Sequence, residues 1–199
     1  MRDNSSHPLI ERIRERLATH VPVVDRTSEA RAAAVAIVLR PRGADVDVLF
    51  IKRADYELDP WSGQVAFPGG RHEPADKDLL ETALRETTEE IGVDLRGHFD
   101  LLGRLDDLHS QTVKLPNVFV RPFVIAAHEV GAFHLSPEVA DAFWVPLSFL
   151  TTASNWQRTE VSARGLSFDV TACLFEGRII WGMTERILTQ LLELAVTAR

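Results

Sequence analysis

The stretch FPGGRHEPADKDLLETALRETTEEIGV, Phe67 to Val93, combines a diglycine with an amphipathic helix. Asp78 is a favourable N-cap residue, and Glu81 three residues later completes a capping box. Gly92 supplies a left-handed stop. Between these ends a core-facing stripe recurs at helical spacing, formed by Leu79, Leu80, Ala83, Leu84, Thr87 and Ile91. The stretch therefore predicts a tight diglycine loop, a short polar connector and one helix that buries a single face.

Three glutamates lie along one side of this predicted helix. At about 100° per residue, Glu86 and Glu90 are about 40° apart around the axis, and Glu89 lies about 60° from Glu86. Like charges one turn apart repel by a few tenths of a kcal/mol, so local stability does not explain the pair. A hard divalent cation explains it, because Mg²⁺ binds few carboxylates and completes its shell with water and phosphate oxygens. The preceding Gly69 and Gly70 let backbone approach the same spot without a Cβ in the way.

Arg85 leaves an alternative open, because Arg85 and Glu89 could form an ordinary i,i+4 pair on a solvated acidic face. Six residues nevertheless keep a recognisable order along the chain: Gly70, Arg85, Glu86, Glu89, Glu90 and Gly92. This order resembles the Nudix box, the signature of hydrolases that cleave a diphosphate linked to another moiety. Two features depart from the standard box. The interval from Gly70 to Arg85 is fifteen residues instead of fourteen, and Asp76 stands where the standard box has a glutamate.

The resemblance implies a metal site on the box helix. Glu86 and Glu90 would hold Mg²⁺ or Mn²⁺, and Glu89 would be a further ligand or the acceptor of a proton. Arg85 would orient the glutamates. Glu138 lies in the pattern S-x-E-V-x-x-x-x-W-V-P-L, which is similar to a family segment whose glutamate reaches towards the metal site. Glu138 is therefore the other candidate proton acceptor, and otherwise it is the first charge of a short turn.

Five residues are predicted to contact the substrate: Arg53, Trp61, Gly69, Gly70 and Arg71. Arg53 follows the second predicted strand, where the resemblance has a basic residue near the substrate, although a solvated charge at a strand end is the alternative. Trp61 lies in a polar loop just before the diglycine. It would stack on a base or cover the pocket, or else it shields the edge of the core.

Two further segments are similar to the coenzyme A diphosphatase branch of the family: GQVAFPGG at Gly63–Gly70 and IWGMT at Ile180–Thr184. With the longer box, they imply hydrolysis of coenzyme A or an acyl-coenzyme A to 3′,5′-ADP and (acyl-)4′-phosphopantetheine. Leu58 stands where that branch has an arginine, so Lys52, Arg53 and Arg71 are the candidate cations for the 3′-phosphate.

Other substrates and another class of function remain as alternatives. Nucleoside triphosphates, dinucleotides and nucleotide sugars are the alternative diphosphate substrates. A Nudix-type module that binds a nucleotide without cleaving it usually lacks one or more box glutamates. All three are present here, which favours hydrolysis.

The composition of the chain limits the cellular compartment and the classes of binding partner that we expect for it. The chain has 199 residues, which suits one domain with its own core, and its net charge of −7 disfavours a nucleic-acid polymer as partner. A single cysteine, Cys173, excludes an internal disulfide and fits a reducing compartment. Neither a bilayer-length apolar run nor a signal peptide is visible, so we expect a cytoplasmic protein that acts on a small diphosphate and has no membrane partner.

The expected architecture is an α/β fold, a Nudix-type α/β/α sandwich with a mixed central sheet. A single domain covers 1–199, with an N-terminal helical extension in 1–30 and the box in 67–93. Helices are expected at Pro8–Ala18 and towards the C-terminus within Ile179–Ala198. Strands are expected at Arg31–Arg40, Val46–Arg53, Val65–Phe67, His98–Leu105 and Val118–Ala126. The apolar edge of the first helix would pack on the domain or on the second subunit of a homodimer.

Overall fold

The structure, a computed structural model, describes residues 7–25, 30–56, 61–109, 117–163 and 166–196. The helices are α1 (Pro8–Thr19), α2 (Leu79–Ile91), α3 (Leu147–Leu150) and α4 (Gly182–Val196). The strands are β1 (Arg31–Arg42), β2 (Asp45–Arg53), β3 (Val65–Ala66), β4 (Gly69–Arg71), β5 (Phe99–Arg104), β6 (Leu108–His109), β7 (Val118–Ala127), β8 (Val139–Pro146), β9 (Trp156–Ala163), β10 (Leu166–Phe175) and β11 (Arg178–Ile180).

The main sheet is mixed and divides beside its central strand. β1 pairs in parallel with β7 along one edge, from Arg31–Val118 to Leu39–Ala126. Its other edge pairs antiparallel with two strands, β2 over 39–42 and β4 over 33–35. Between these two pairings the Ala36 N–H donates to the Pro68 carbonyl at 2.8 Å. The sheet therefore opens between β2 and β4, and this opening lies next to the diglycine.

Helices cover both faces of this sheet. Successive side chains of β1 point to opposite faces, so alternate residues of β1 belong to different apolar clusters. Ala33, Ile37 and Leu39 belong to one apolar cluster with α1 and α4. Ala34, Ala36 and Val38 belong to a second cluster with α2. The predicted α/β/α arrangement with a mixed sheet is confirmed.

The N-terminal helix packs on the body of the chain. Ile10 and Ile13 are fully buried, and Leu17 is nearly so, within the cluster that includes α4. Pro8 lies at the start of α1, where its missing N–H is not needed for a helical hydrogen bond. The apolar edge recognised in the sequence is thus covered within one chain.

Two local features differ from the sequence-based expectations. The diglycine is not a loop, because Gly69–Arg71 forms β4 against β1. A two-residue strand, β6, lies within the predicted connection after Leu105, of which residues 110–116 lie outside the described residues. Apart from these differences, the strands after α3 form a separate antiparallel sheet, in the order β11-β10-β9.

The paired aspartates Asp106 and Asp107 both accept hydrogen bonds from the segment that follows α1. Asp107 forms a two-bonded ion pair with Arg121, at 2.8 and 2.7 Å, and accepts the backbone N–H of Asp25. Asp106 accepts from the backbone N–H of Val23 at 2.8 Å. Together the two carboxylates tie the segment after α1 to the sheet.

Cys173 is a core residue, surrounded by apolar side chains. It is fully buried in β10, and burial raises the pKa of its thiol to about 11. Across the described ranges, none of the helices combines the length and the apolarity that a bilayer crossing requires.

Candidate active site

Helix α2 begins and ends at the residues that its sequence indicates. The Asp78 side chain accepts the Glu81 N–H at 2.9 Å, which caps the first turn. The Glu81 carboxylate binds Arg96 at 2.7 Å instead of completing the predicted capping box. The side-chain cap of this helix therefore comes from Asp78 alone. Gly92 has φ 70°, and its N–H donates to the Thr88 carbonyl, which ends the helix.

The diglycine brings backbone directly against the helix glutamates. The Gly69 N–H donates to Glu90 Oε2 at 2.9 Å. A Cβ on Gly70 would lie 2.4 Å from the carboxyl carbon of Glu86. A Cβ on Gly69, whose φ is 154°, would lie 2.3 Å from the Ala34 carbonyl oxygen. The predicted close approach is confirmed. Backbone atoms forbid a Cβ at Gly69, whereas a Cβ at Gly70 would displace the Glu86 carboxylate.

Glu90 and Glu86 are held in surroundings that disfavour their charge. Glu90 is only 4% exposed, and burial raises the pKa of its carboxyl to about 8. The Gly69 N–H and Arg53 lower this pKa, whereas Glu86 and Glu138 raise it. Burial likewise raises the pKa of Glu86, against the opposing charge of the neighbouring guanidinium. For Glu90, the alternative of a solvated acidic face is therefore wrong.

Arg85 is the centre of an ion-pair network on this side of α2. Its guanidinium donates to Asp76 at 2.8 and 3.1 Å and contacts Glu86 at 3.0 Å and Glu89 at 2.9 Å. A further donor reaches the Arg71 carbonyl at 3.0 Å. The Arg85 guanidinium holds the pKa of the Asp76 carboxyl well below its usual range. Asp76, in the position of a box glutamate, thus anchors the arginine.

Glu138 reaches the same region from the loop before β8. The Ser136 N–H donates to the Glu90 carbonyl at 2.9 Å, and the Ala54 N–H donates to the Glu138 carbonyl at 2.8 Å. These bonds fasten the loop to the end of α2 and to the end of β2. The Glu138 side chain is exposed, and its charge raises the pKa of both Glu86 and Glu90.

All ten predicted site residues line one cavity of about 1010 Å³ at the opening of the sheet: Arg53, Trp61, Gly69, Gly70, Arg71, Arg85, Glu86, Glu89, Glu90 and Glu138. We call Glu86, Glu89 and Glu90 the acidic wall. Lys52 does not line this cavity, because neighbouring side chains of β2 point to opposite faces of the sheet. Leu58 lies outside the described residues.

The far side of the cavity was missed by the sequence-based site prediction. It is formed by Phe168 and Val170 of β10, Trp181, and Met183 and Arg186 of α4, which we call the C-terminal wall. The sequence signal was the IWGMT segment, which resemblance alone had singled out. A three-residue and four-residue spacing on α4 also places Met183, Arg186 and Ile187 on one helix face.

The donor set of the acidic wall fits a hard divalent cation. Carboxylates that raise one another's pKa in a partly buried position gain from a cation that neutralises them. Among the described residues, however, no three His, Cys, Asp or Glu side chains converge as ligands around one point. Glu86 and Glu89 turn towards Arg85, and Glu90 turns towards the Gly69 N–H.

Comparison with known proteins agrees with this geometry. The model of the NUDIX domain family matches residues 29–164. An uncharacterized Nudix hydrolase NudL of Yersinia pestis (strain Pestoides F) is 30% identical over 178 residues, 89% of this chain and 85% of the relative.

Solved structures of lower identity are also similar. An Ap4A hydrolase of C. elegans in a binary complex is 19% identical with a TM-score of 0.49, covering 60% of this chain and 82% of that one. The NUDIX domain of Shewanella oneidensis NrtR, complexed with ADP ribose, is 21% identical with a TM-score of 0.47, and the match covers 68% of this chain and 84% of that one. The family model and the Yersinia relative cover most of this chain, and the chain belongs to the Nudix hydrolase family.

Proposed function

We propose that this protein hydrolyses the diphosphate linkage of a nucleotide derivative with Mg²⁺ or Mn²⁺ bound at the acidic wall, and that coenzyme A or an acyl-coenzyme A is its substrate. One observation carries the proposal. The three glutamates of the acidic wall, Gly69, Gly70 and four arginines line the same cavity. Diphosphate oxygens need positive charge, and a hydrolase needs a carboxylate that accepts a proton.

Each residue has a role in this proposal. Glu86 and Glu90 hold the metal, with Glu89 as a further ligand. A bound divalent cation would neutralise phosphate oxygens and lower the pKa of water. Glu138 accepts the proton of the attacking water, and Glu89 is the alternative acceptor. Arg85, bonded to Asp76, keeps Glu86 and Glu89 in position.

The substrate lies along the cavity from the acidic wall outward. Arg53, Arg71 and the backbone of Gly69 and Gly70 contact the diphosphate, and Trp61 stacks on or covers the attached group. The oxygen of water forms a new bond to one phosphorus, and the bridging oxygen leaves with the other phosphate. For coenzyme A the products are 3′,5′-ADP and 4′-phosphopantetheine.

The size and the composition of the cavity support a substrate larger than a diphosphate alone. Its volume of about 1010 Å³ is at the upper end of ordinary ligand pockets, about 300–1,000 Å³. The C-terminal wall is mainly apolar, which suits the organic part of a long substrate. Branch resemblance in the GQVAFPGG and IWGMT segments favours coenzyme A over nucleoside triphosphates, dinucleotides and nucleotide sugars.

A substrate panel tests the proposal. Purified protein is incubated with coenzyme A, acetyl-coenzyme A, nucleoside triphosphates, dinucleotides and nucleotide sugars, each with Mg²⁺, Mn²⁺ or a chelator, and the products are separated by chromatography. We expect metal-dependent release of 3′,5′-ADP from both coenzyme A substrates. Cleavage of another class alone would overturn the substrate assignment, and no metal-dependent cleavage at all would overturn the activity.

A further inference from the structure

The C-terminal wall lies beyond the part of the chain that matches the family model. The match ends at residue 164, whereas Phe168, Trp181 and Arg186 all follow it and line the cavity. This wall comes from β10 and from the first turns of α4, and α4 packs on the face of the sheet opposite α2. The cavity is therefore completed by residues that follow the matched domain, at a distance in sequence from the box.

Arg186 is the charged side chain of this wall, and its guanidinium is held in place by the backbone. It is half-buried, and its Nη1 donates to the His109 carbonyl of β6 at 3.1 Å. Val118, Val120 and Ile187 line the same cavity. The guanidinium has five N–H donors, so one bond to a carbonyl leaves most of them for a ligand.

The arginines of the cavity differ in how their charge is neutralised. Arg85 contacts three carboxylates, and Arg53 lies 3.9 Å from Glu90. Arg186 forms an ion pair with none of the residues in the described ranges. A positive charge in a cavity with apolar lining, with a fixed orientation and without a counter-ion among the described residues, is suited to an anionic group of a ligand.

We propose that Arg186 binds a phosphate of the substrate that is separate from the scissile diphosphate. This inference rests on the proposed function, which places the diphosphate at the acidic wall on the other side of the cavity. A second phosphate on the nucleotide part then meets a second cation, and Arg186 determines specificity for substrates that carry it. The guanidinium fork matches phosphate oxygens with two parallel hydrogen bonds.

Two substrates that differ by one phosphate test this role. Values of kcat and KM are measured with coenzyme A and dephospho-coenzyme A for the native protein, Arg186→Gln and Arg186→Lys. The native protein should prefer coenzyme A by about tenfold or more in kcat/KM, and this preference should come from a lower KM. Arg186→Gln should reduce the ratio to about 1 without lowering kcat on dephospho-coenzyme A, and Arg186→Lys should retain part of the preference. The control, Arg158→Gln, removes an exposed arginine of β9 that pairs with Asp169 outside the cavity, and it should leave the ratio unchanged.

A binding measurement separates this inference from the proposed hydrolysis. Calorimetry with 3′,5′-ADP and 5′-AMP, in Mg²⁺ buffer, compares two ligands that differ by the same phosphate and need no turnover. Tighter binding of 3′,5′-ADP that disappears in Arg186→Gln would support Arg186 even if neither coenzyme A substrate were cleaved. Equal affinity for the two ligands in the native protein, or a preference that survives in a folded Arg186→Gln, would overturn it.

Discussion

The two walls of the cavity are built in different ways. In the acidic wall, Glu90 is bonded to the Gly69 N–H, and Glu86 and Glu89 are bonded to Arg85, which is itself anchored by Asp76. In the C-terminal wall, apolar side chains dominate, and Arg186 has a single hydrogen bond to a carbonyl. A network of short polar contacts fixes the positions of the carboxylate groups that take part in the reaction. An apolar surface with one cation instead contacts the rest of the substrate and selects among substrates. We therefore expect mutations in the first wall to change kcat and mutations in the second to change KM.

The largest effect is expected at Glu86 and Glu90. Glu86→Gln and Glu90→Gln should each lower kcat by about 10³-fold, because each removes a metal-binding carboxylate. The thermal midpoint should stay unchanged or rise, since burial and mutual repulsion disfavour both charges in the folded protein. Steady-state kinetics and thermal unfolding measure the two responses.

Glu81→Gln is the matched control for this pair. Glu81 lies on the same helix but is bound to Arg96 outside the cavity, so turnover should be retained. Native rates in Glu86→Gln or Glu90→Gln would show that the acidic wall does not hold the metal.

Glu138→Gln distinguishes the two candidate proton acceptors. Loss of a general base typically costs at least about 10²-fold in rate, so kcat should fall by about that factor. Mn²⁺ affinity, followed by electron paramagnetic resonance, should remain nearly native, because Glu138 lies on the loop before β8 and not on α2. An unchanged kcat would return the role to Glu89.

Asp76→Asn tests how far the acidic wall depends on its buried ion pair. The Asp76 side chain is 3% exposed and is bonded to Arg85, Thr82 and the Glu73 N–H. Losing its charge should lower the free energy of unfolding by about 2 kcal/mol, roughly thirtyfold in the unfolding equilibrium. The measurement is urea unfolding at several pH values.

The pH dependence of this difference has a definite sign. The folded-state pKa of Asp76 is lower than its unfolded value of about 3.9. The stabilisation is therefore fully present above about pH 5 and is lost as the pH falls below about 4. A native–Asp76→Asn difference that is constant from pH 7 to pH 3.5 would contradict the role of the carboxylate charge. Asp169→Asn, in an exposed pair with Arg158, serves as the control and should have a much smaller effect.

Gly70→Ala tests the close approach of backbone to the acidic wall. The added Cβ would meet the Glu86 carboxyl at 2.4 Å, so that side chain must move. We expect kcat to fall by about tenfold, as a displaced carboxylate weakens positioning. Gly131→Ala adds the same methyl group where nothing lies within 4 Å, and its kinetics should be native.

Phe168→Ala should have the smallest effect, and it should change KM and not kcat. Phe168 lines the cavity from β10 and is 42% exposed, so truncation removes apolar contact without disturbing the core. KM for the preferred substrate should rise about threefold to fivefold with kcat unchanged, which corresponds to about 1 kcal/mol of lost binding. A fall in kcat with unchanged KM would contradict the expectation that the C-terminal wall acts on KM and the acidic wall on kcat.

Local sequence determined the box helix and the chemistry that it presents. Asp78 and Gly92 are recognised as ends because capping depends on neighbouring backbone groups, and the grouping of Glu86, Glu89 and Glu90 follows from helical spacing alone. The need for glycine beside them was likewise predictable, since a close approach forbids a Cβ. These features require no knowledge of the rest of the fold.

Only the tertiary structure decided what lies opposite the box. Arg186 and Phe168 are about a hundred residues from Gly70 or the box helix, and no local pattern states which strand or helix faces which. The pairing of β1 with β4, the opening of the sheet and the packing of α4 bring them to the cavity. Asp76 and Asp107 make the same point: neighbours in sequence do not reveal that each is bound to an arginine nine or fourteen residues away. Such contacts arise from packing of distant segments, and the sequence alone determines helix ends and side-chain periodicity because those depend on near neighbours.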